Sequence, residues 1–342
     1  MLVFVLNAGS SSLKYQLIDI KSKELKASGL VERIGIDGIL KHEIGENKKI
    51  TFELPIPTHK EAIELVLRIL TNDETKVINS IDEIKAIGHR VVHGGEHFKG
   101  SVIVDDEVIR KIEELIPLAP LHNPANILGV KICKDLMPKV PNVVTFDTAF
   151  HQTMPMENFL YAVPYADYTE HHLRKYGFHG TSHYYVSQEA IKLLNKKDSK
   201  VIVCHLGNGS SVCAVKDGKS ISTSMGLTPL EGLVMGTRSG DIDAGVIPYL
   251  MEKKGLNHIQ ILDYLNKKSG ILGVSGVSSD LREVIKAAND GDKRSKIAIT
   301  MLCDRIKKYL CSYAGLMHGV DAICFTAGIG ENSDLIREKV CE

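Results

Sequence analysis

An apolar run, Leu2 to Leu6, enters the polar turn Asn7-Ala8-Gly9-Ser10-Ser11-Ser12 and leaves through Leu13, Tyr15 and Leu17. Those alternate positions predict a second strand, and so a hairpin. The same order returns in the second half, where Val201 to Leu206 meets Gly207-Asn208-Gly209-Ser210-Ser211 and leaves through Val212 to Val215. Gly9, Gly207 and Gly209 allow close backbone approach, and the amides and hydroxyls around them suit phosphate oxygens. A Walker loop, GxxxxGK[ST], is absent, and a strand follows each turn where that loop needs a helix. One polar hairpin is ordinary; two of one type predict two related domains facing each other across a cleft. A third glycine turn, Phe325 to Ser333, follows the strand-like Ala322-Ile323-Cys324-Phe325 and opens a predicted helix, whose N-terminus favours anions.

Between these turns the period alternates between two and 3.6. Residues 23–57 predict short strands parted by turns such as Ile36-Asp37-Gly38. Thr58 and Glu61 fit a capping box ahead of the stripe Ala62, Ile63, Val66, Leu67 and Leu70. Residues 84–92 read as a buried strand running into His89-Arg90-Val91-Val92-His93-Gly94-Gly95. Residues 105–116 predict an amphipathic helix stopped by Pro117, and a helix over 125–137 precedes a strand over 143–147. The domain boundary is expected near here, giving 1–150 and 151–342. The second domain should hold a helix to about Leu194 capped by Thr181 or Ser182, the second hairpin and a strand to 224. Helices near 244–254, 257–268 (ended by Gly270), 280–290 and 292–317 follow, then the strand and turn at 322–332. The sum is an α/β protein with mixed sheets.

Composition narrows the function. Lys+Arg and Asp+Glu both number 42, so no general field draws nucleic acid or anionic membrane, and any anion site must be local. No apolar run reaches the ~20 residues of a spanning helix, and no basic region precedes the first apolar run, so neither a membrane anchor nor a signal peptide is expected. Seven cysteines form no CxxC pair, which predicts reduced core thiols in a cytoplasmic protein. The candidate chemistry lies on glycine-flanked loops: Arg90 before Gly94-Gly95, His179 between Gly177 and Gly180, Arg238 between Gly236 and Gly240, and Asp147 at a strand end. Strand-end loops are where α/β proteins build clefts. Two arginines, a histidine and phosphate-type turns suit phosphoryl transfer, which needs positioning and charge neutralisation more than covalent help.

These motifs run in order along the whole chain: 7–14, Gly88 to Gly95, Leu118 to Pro124, Thr145 to His151, Arg174 to His183, His205 to Gly209, Met235 to Asp241, and Thr326 to Asn332. On them the sequence resembles the acetokinase family, within the actin-like ATPase superfamily. The resemblance implies two actin-like, ribonuclease H-like domains with the active-site cleft between them. It implies reversible transfer between ATP and acetate, giving ADP and acetyl phosphate, with propionate as the close variant. Asn7 would lie by magnesium (manganese in its place) and Lys14 would contact ATP. Arg90 would hold the carboxylate, Asp147 would be the active-site acid, and His179 and Arg238 would stabilise the transition state. Val92, Leu121, Phe178 and Pro229 would surround the methyl group. His205, Leu206, Gly207, Asn208 and Gly209 would form the phosphate loop. Asp280, Leu281 and Arg282, with Gly328, Ile329, Gly330, Glu331 and Asn332, would surround adenosine. A homodimer is implied as well. The family continues past Glu342 with a metal-binding glutamate and a last helix, so an impaired nucleotide-binding module is the competing expectation.

Overall fold

The computed structural model describes residues 1–45 and 48–342. The chain forms two compact units, Met1–Ala149 and Phe150–Glu342. Each is built on one mixed sheet flanked by helices, as the patterning predicts.

The strands of the first unit are β1 (Leu2–Ala8), β2 (Leu13–Asp19), β3 (Glu24–Glu32), β4 (Ile39–Ile44), β5 (Lys48–Glu53), β6 (Ile84–Val91), β7 (Val102–Ile103) and β8 (Asn142–Phe146). They form one sheet in the order β5-β4-β3-β2-β1-β6-β8-β7. The predicted hairpin pairs Ala8 with Leu13 and Asn7 with Lys14. Strands β1, β6 and β8 are parallel, so their C-terminal ends share one edge of the sheet. That edge carries Asn7, Arg90 and Asp147, for the general reason that parallel strands in α/β sheets expose their carboxyl ends to ligands.

Helices α1 (His59–Thr71), α2 (Asp106–Glu114) and α3 (Asn123–Leu136) complete this unit. Phe4, Leu6, Leu13 and Leu17 are buried with Ile63, Val66 and Leu70 of α1 and Cys133 of α3. Each such side chain contributes about 1.5–3 kcal/mol relative to exposure. Thr58 caps α1, accepting from the Lys60 N–H at 3.1 Å and donating its hydroxyl to the Glu61 carboxylate. Pro117 does not itself end α2: the helix stops at Glu114, and the proline lies in the short 3₁₀ turn Ile116–Leu118. α3 begins two residues earlier than expected, because Pro124 is accommodated in its first turn, where no backbone donor is needed.

The second unit contains α4 (Met156–Phe159), α5 (Tyr165–His171), α6 (Gly180–Leu194), β9 (Lys200–Leu206), β10 (Ser210–Lys216) and β11 (Lys219–Thr223). It continues with α7 (Val246–Lys254), α8 (His258–Lys267), α9 (Gly270–Ser275), α10 (Leu281–Asn289), α11 (Lys293–Met317), β12 (Ala322–Thr326), α12 (Ala327–Asn332) and α13 (Asp334–Cys341). The sheet order is β11-β10-β9-β12, with β12 parallel to β9. A hairpin, a third antiparallel strand and a parallel neighbour of the first strand thus recur in both units: β1-β2-β3 with β6, and β9-β10-β11 with β12. α11 packs Ala298, Leu302, Ile306 and Tyr313 into a core with Ile202, Cys204, Val212 and Ala214.

Three expectations need correction here. Thr181 and Ser182 do not cap α6; the helix starts at Gly180, behind His179, whose left-handed backbone (φ 56°) makes the turn. The glycine turn at 327–332 is itself the helix α12, and Ala327, not a glycine, takes the left-handed conformation at φ 64°. Gly270 does not end α8. It opens α9 at φ 62°, where a β-carbon would come within 2.2 Å of the Met235 carbonyl oxygen. Cys133, Cys204, Cys213 and Cys303 are buried free thiols, as expected, whereas Cys311 and Cys341 are exposed. No helix among the described residues is long and apolar enough to cross a membrane.

Candidate active site

In the first unit three strand ends converge. The Arg90 guanidinium donates through Nε to both Asp147 oxygens at 3.0 and 3.1 Å and through Nη2 to Oδ2 at 2.5 Å. Its Nη1 makes a longer contact, 3.4 Å, to the Asn7 carboxamide oxygen. Asp147 is almost fully buried, at 2% exposure. The nearby carboxylate raises the Arg90 guanidinium further above its ordinary value. One edge of the guanidinium fork is therefore fixed by Asp147, and the Nη1 edge is the less engaged. Asn126 holds the neighbouring loops, donating to the Ala8 carbonyl at 2.7 Å and accepting from the Val92 N–H at 3.0 Å. Lys14 is exposed and lines a cavity of about 450 Å³ with Asn7, Gln16, Lys41 and Glu43. Val92 is buried, and Leu121 is 74% exposed.

The second unit gathers a different set around the β9–β10 turn. His179 and His205 stack with ring centroids 4.1 Å apart. Ser211 Oγ lies 2.9 Å from His179 Nδ1 and 2.7 Å from His183 Nε2, and Ser182 Oγ lies 2.8 Å from His205 Nδ1. A β-carbon on Gly209 would stand 3.4 Å from Arg238 Nη1 and 3.8 Å from His179 Nε2. This glycine therefore has a cation and an imidazole nitrogen against it, and a larger residue would fill the space between them. Arg238 donates to the Pro229 carbonyl at 3.2 Å and has no carboxylate partner among the described residues. Burial lowers its guanidinium from the ordinary arginine value. Phe178 is buried, and its carbonyl oxygen lies 3.0 Å from His151 Nε2.

A cavity of about 620 Å³ in the same unit is lined by Gly207, Asn208, Asp280, Leu281, Arg282, Gly328, Ile329 and Asn332. Three stretches distant in sequence are thus brought together. Asp280 caps α10 by accepting from the Arg282 N–H at 2.9 Å and pairs with the Arg282 side chain. The Asp280 carboxyl is held down to about 2 by that partner. Three candidates have other work. Leu206 is buried in the core, so only its backbone can reach a ligand. Gly330 is buried, and Glu331 accepts from the Thr326 hydroxyl and the Ala327 N–H at the start of α12.

Sequence reasoning passed over Ser211, Ser182, His183 and Asn126. The available signals were Ser211 inside the repeated turn and the spacing of His179 and His183, four apart in the sequence. Among the described residues no group of three or more His, Cys, Asp or Glu could hold a metal ion. Asn7 and Asp147 each present a side-chain oxygen to Arg90. That set is too small for a protein cage. It fits a hard cation such as magnesium, which keeps several waters and takes one or two carboxylates plus substrate phosphates.

Residues 2–342 match the model of the acetokinase family. Acetate kinase of Treponema denticola is 56% identical, the alignment covering 100% of this chain and 87% of that protein. Acetate kinase of Lachnoclostridium phytofermentans is 55% identical, covering 99% and 87%. The crystal structure of Porphyromonas gingivalis acetate kinase superposes with a TM-score of 0.96 at 50% identity, covering 99% of this chain and 86% of that one. That of a propionate kinase from Francisella tularensis superposes with a TM-score of 0.94 at 45% identity and the same coverage.

Proposed function

The chain belongs to the acetokinase family and is a kinase of actin-like fold, and we propose that it carries out reversible phosphoryl transfer between ATP and acetate. A carboxylate acceptor is ionised at neutral pH, since such groups titrate near ~4. It needs a cationic clamp and no general base. Arg90 is that clamp, offering the Nη1 edge of its fork while Asp147 fixes the other edge. Asp147 acts by orientation, because its oxygens already accept from Arg90. Val92, Leu121, Phe178 and Pro229 are the residues this reading assigns to the methyl group. His179 and Arg238 donate to the phosphoryl oxygens as their charge spreads in the transition state. Gly207 to Gly209 approach the nucleotide phosphates through backbone, and Asp280 to Arg282 with Gly328 to Asn332 hold the nucleoside. Asn7, with Asp147, would hold magnesium, which when bound would supply neutralisation of charge on the phosphate oxygens.

The observation that carries this reading is the glycine at 209 with a carboxylate-free arginine and an imidazole nitrogen against it. Such a charge attracts an anion, and the missing side chain leaves room for one. The test is hydroxylamine trapping of acyl phosphate from ATP, magnesium and acetate by the 342-residue chain. Rapid hydroxamate formation is expected; ATP binding with no hydroxamate would leave only a nucleotide-binding protein. Propionate is the second reading, favoured by the likeness to the Francisella tularensis propionate kinase. One methylene discriminates by only ~10- to 200-fold, so both acids should react, acetate with the larger kcat/KM. The same reading carries a cytoplasmic location and a homodimer, which sedimentation would check.

A further inference from the structure

We propose that His183 and Ser211 form a proton-fixing relay that holds His179 as the neutral imidazole with its hydrogen on Nε2, facing the Gly209 loop. The inference rests on the reading of His179 as a donor to the phosphoryl group and adds the residues that set its tautomer. Ser211 Oγ lies between two imidazoles, 2.9 Å from His179 Nδ1 and 2.7 Å from His183 Nε2. A serine hydroxyl has one hydrogen. It could accept from both rings only by leaving its own hydrogen without an acceptor, since the two rings are its partners among the described residues; with that hydrogen paired, it donates to one ring and accepts from the other, which couples the two tautomers.

His183 decides the direction. Its side chain is wholly buried, and Nδ1 has no hydrogen-bond partner. If Ser211 donated to His183, the His183 hydrogen would sit on Nδ1, an orphaned N–H in the interior. Buried unpaired N–H groups are rarer than under-satisfied acceptors. The favoured arrangement keeps the His183 hydrogen on Nε2, donating to Ser211. Ser211 then donates to His179 Nδ1, and the His179 hydrogen must lie on Nε2. A doubly protonated His183 would escape this coupling, but burial pushes its proton affinity well below the ordinary value. A doubly protonated His179 would donate Nδ1–H to Ser211 and leave an unpaired hydrogen either on the Ser211 hydroxyl or on His183 Nδ1.

The consequence is that His179 Nε2 always presents a hydrogen beside Arg238. It works as a fixed donor, and no proton leaves it during transfer. Ser211 and His183 are positioning residues, since both act through His179.

The experiment is imidazole nitrogen NMR on the full chain with labelled histidine, assigned with His179→Gln. The native chain should show His179 with hydrogen on Nε2 and a bare Nδ1. Ser211→Ala should shift that ring toward mixed tautomers and lower kcat about tenfold, with KM for acetate and ATP within twofold. His183→Gln, which keeps a side-chain N–H near the Nε2 position, should retain more of the kcat than the similarly sized His183→Leu. A native Nδ1–H tautomer, or an unchanged tautomer in Ser211→Ala protein that folds normally, overturns the relay. Equal kcat in His183→Gln and His183→Leu overturns it as well. The underlying reading fails separately, through an unaffected turnover in His179→Gln; the tautomer measurement uses no substrate and stands apart from that outcome.

Discussion

The two units carry matching hairpins and opposite electrostatics. In Met1–Ala149 the arginine at the sheet edge, Arg90, is paired edge-on with a buried carboxylate and is close to neutral as a pair. In Phe150–Glu342 the arginine beside the glycine loop, Arg238, leans among the described residues on a carbonyl and a methionine sulfur. The first arrangement holds a donor edge in place without a strong field. The second leaves an uncompensated charge in a half-buried setting, the condition under which a cation acts most strongly on charge that develops in a transition state. One arginine is thus suited to binding and the other to turnover.

The largest effect that would sharpen this contrast is on Arg238. Arg238→Ala should lower kcat by ~10³-fold, the scale of an arginine serving phosphoryl transfer, while chemical denaturation stays nearly unchanged. A large loss of stability with modest loss of kcat would break the contrast. Arg90→Ala should do the reverse. It leaves Asp147 buried without its partner, a cost of ~3–5 kcal/mol for a fully buried pair, reduced to about 1–3 kcal/mol because the Arg90 side chain is 40% exposed. Urea melts of Arg90→Ala, Asp147→Asn and the double variant should show strong non-additivity, the double variant being less destabilised than the sum.

The next effect is pH. His89 and His93 flank Arg90, and burial pushes both imidazoles down to about 4. The unfolded chain takes up their protons near ~6.5 and the folded chain only near 4, so between those values unfolding binds protons and stability falls as pH falls. Each contributes roughly 2 kcal/mol of loss between pH 7 and pH 5. The contribution is fully present above ~6.5. Guanidinium melts at the two pH values, repeated on His89→Gln, would check the sign and size. The smallest effect concerns Asp280. Removing this cap as Asp280→Ala should lower stability slightly and raise KM for ATP, with KM for acetate unchanged.

Legibility from sequence followed the same division. The hairpins, α1 and the strand ends bearing Asn7, Arg90 and Asp147 could be read because apolar period and turn residues agree there. The chemistry of the turns was legible as residue types on glycine loops. What was hidden was mostly conformation without a side-chain signal: left-handed backbone at His179 and Ala327, where a glycine would be the expectation, and the short helices α4, α5, α9 and α12, which bury too little to show a period. Leu206 read as part of a ligand loop because the loop motif includes it, yet its strand position turns it into the core. Ser211 was quoted inside the repeat, but nothing linear places its hydroxyl between the rings of His179 and His183.

The division of labour between the two arginines is tested most directly by steady-state kinetics of Arg90→Ala and Arg238→Ala, varying acetate at saturating magnesium and ATP. Arg90→Ala should chiefly raise KM for acetate, and Arg238→Ala should chiefly lower kcat. Parallel losses of the same kind in both variants, or the reverse assignment, would contradict it.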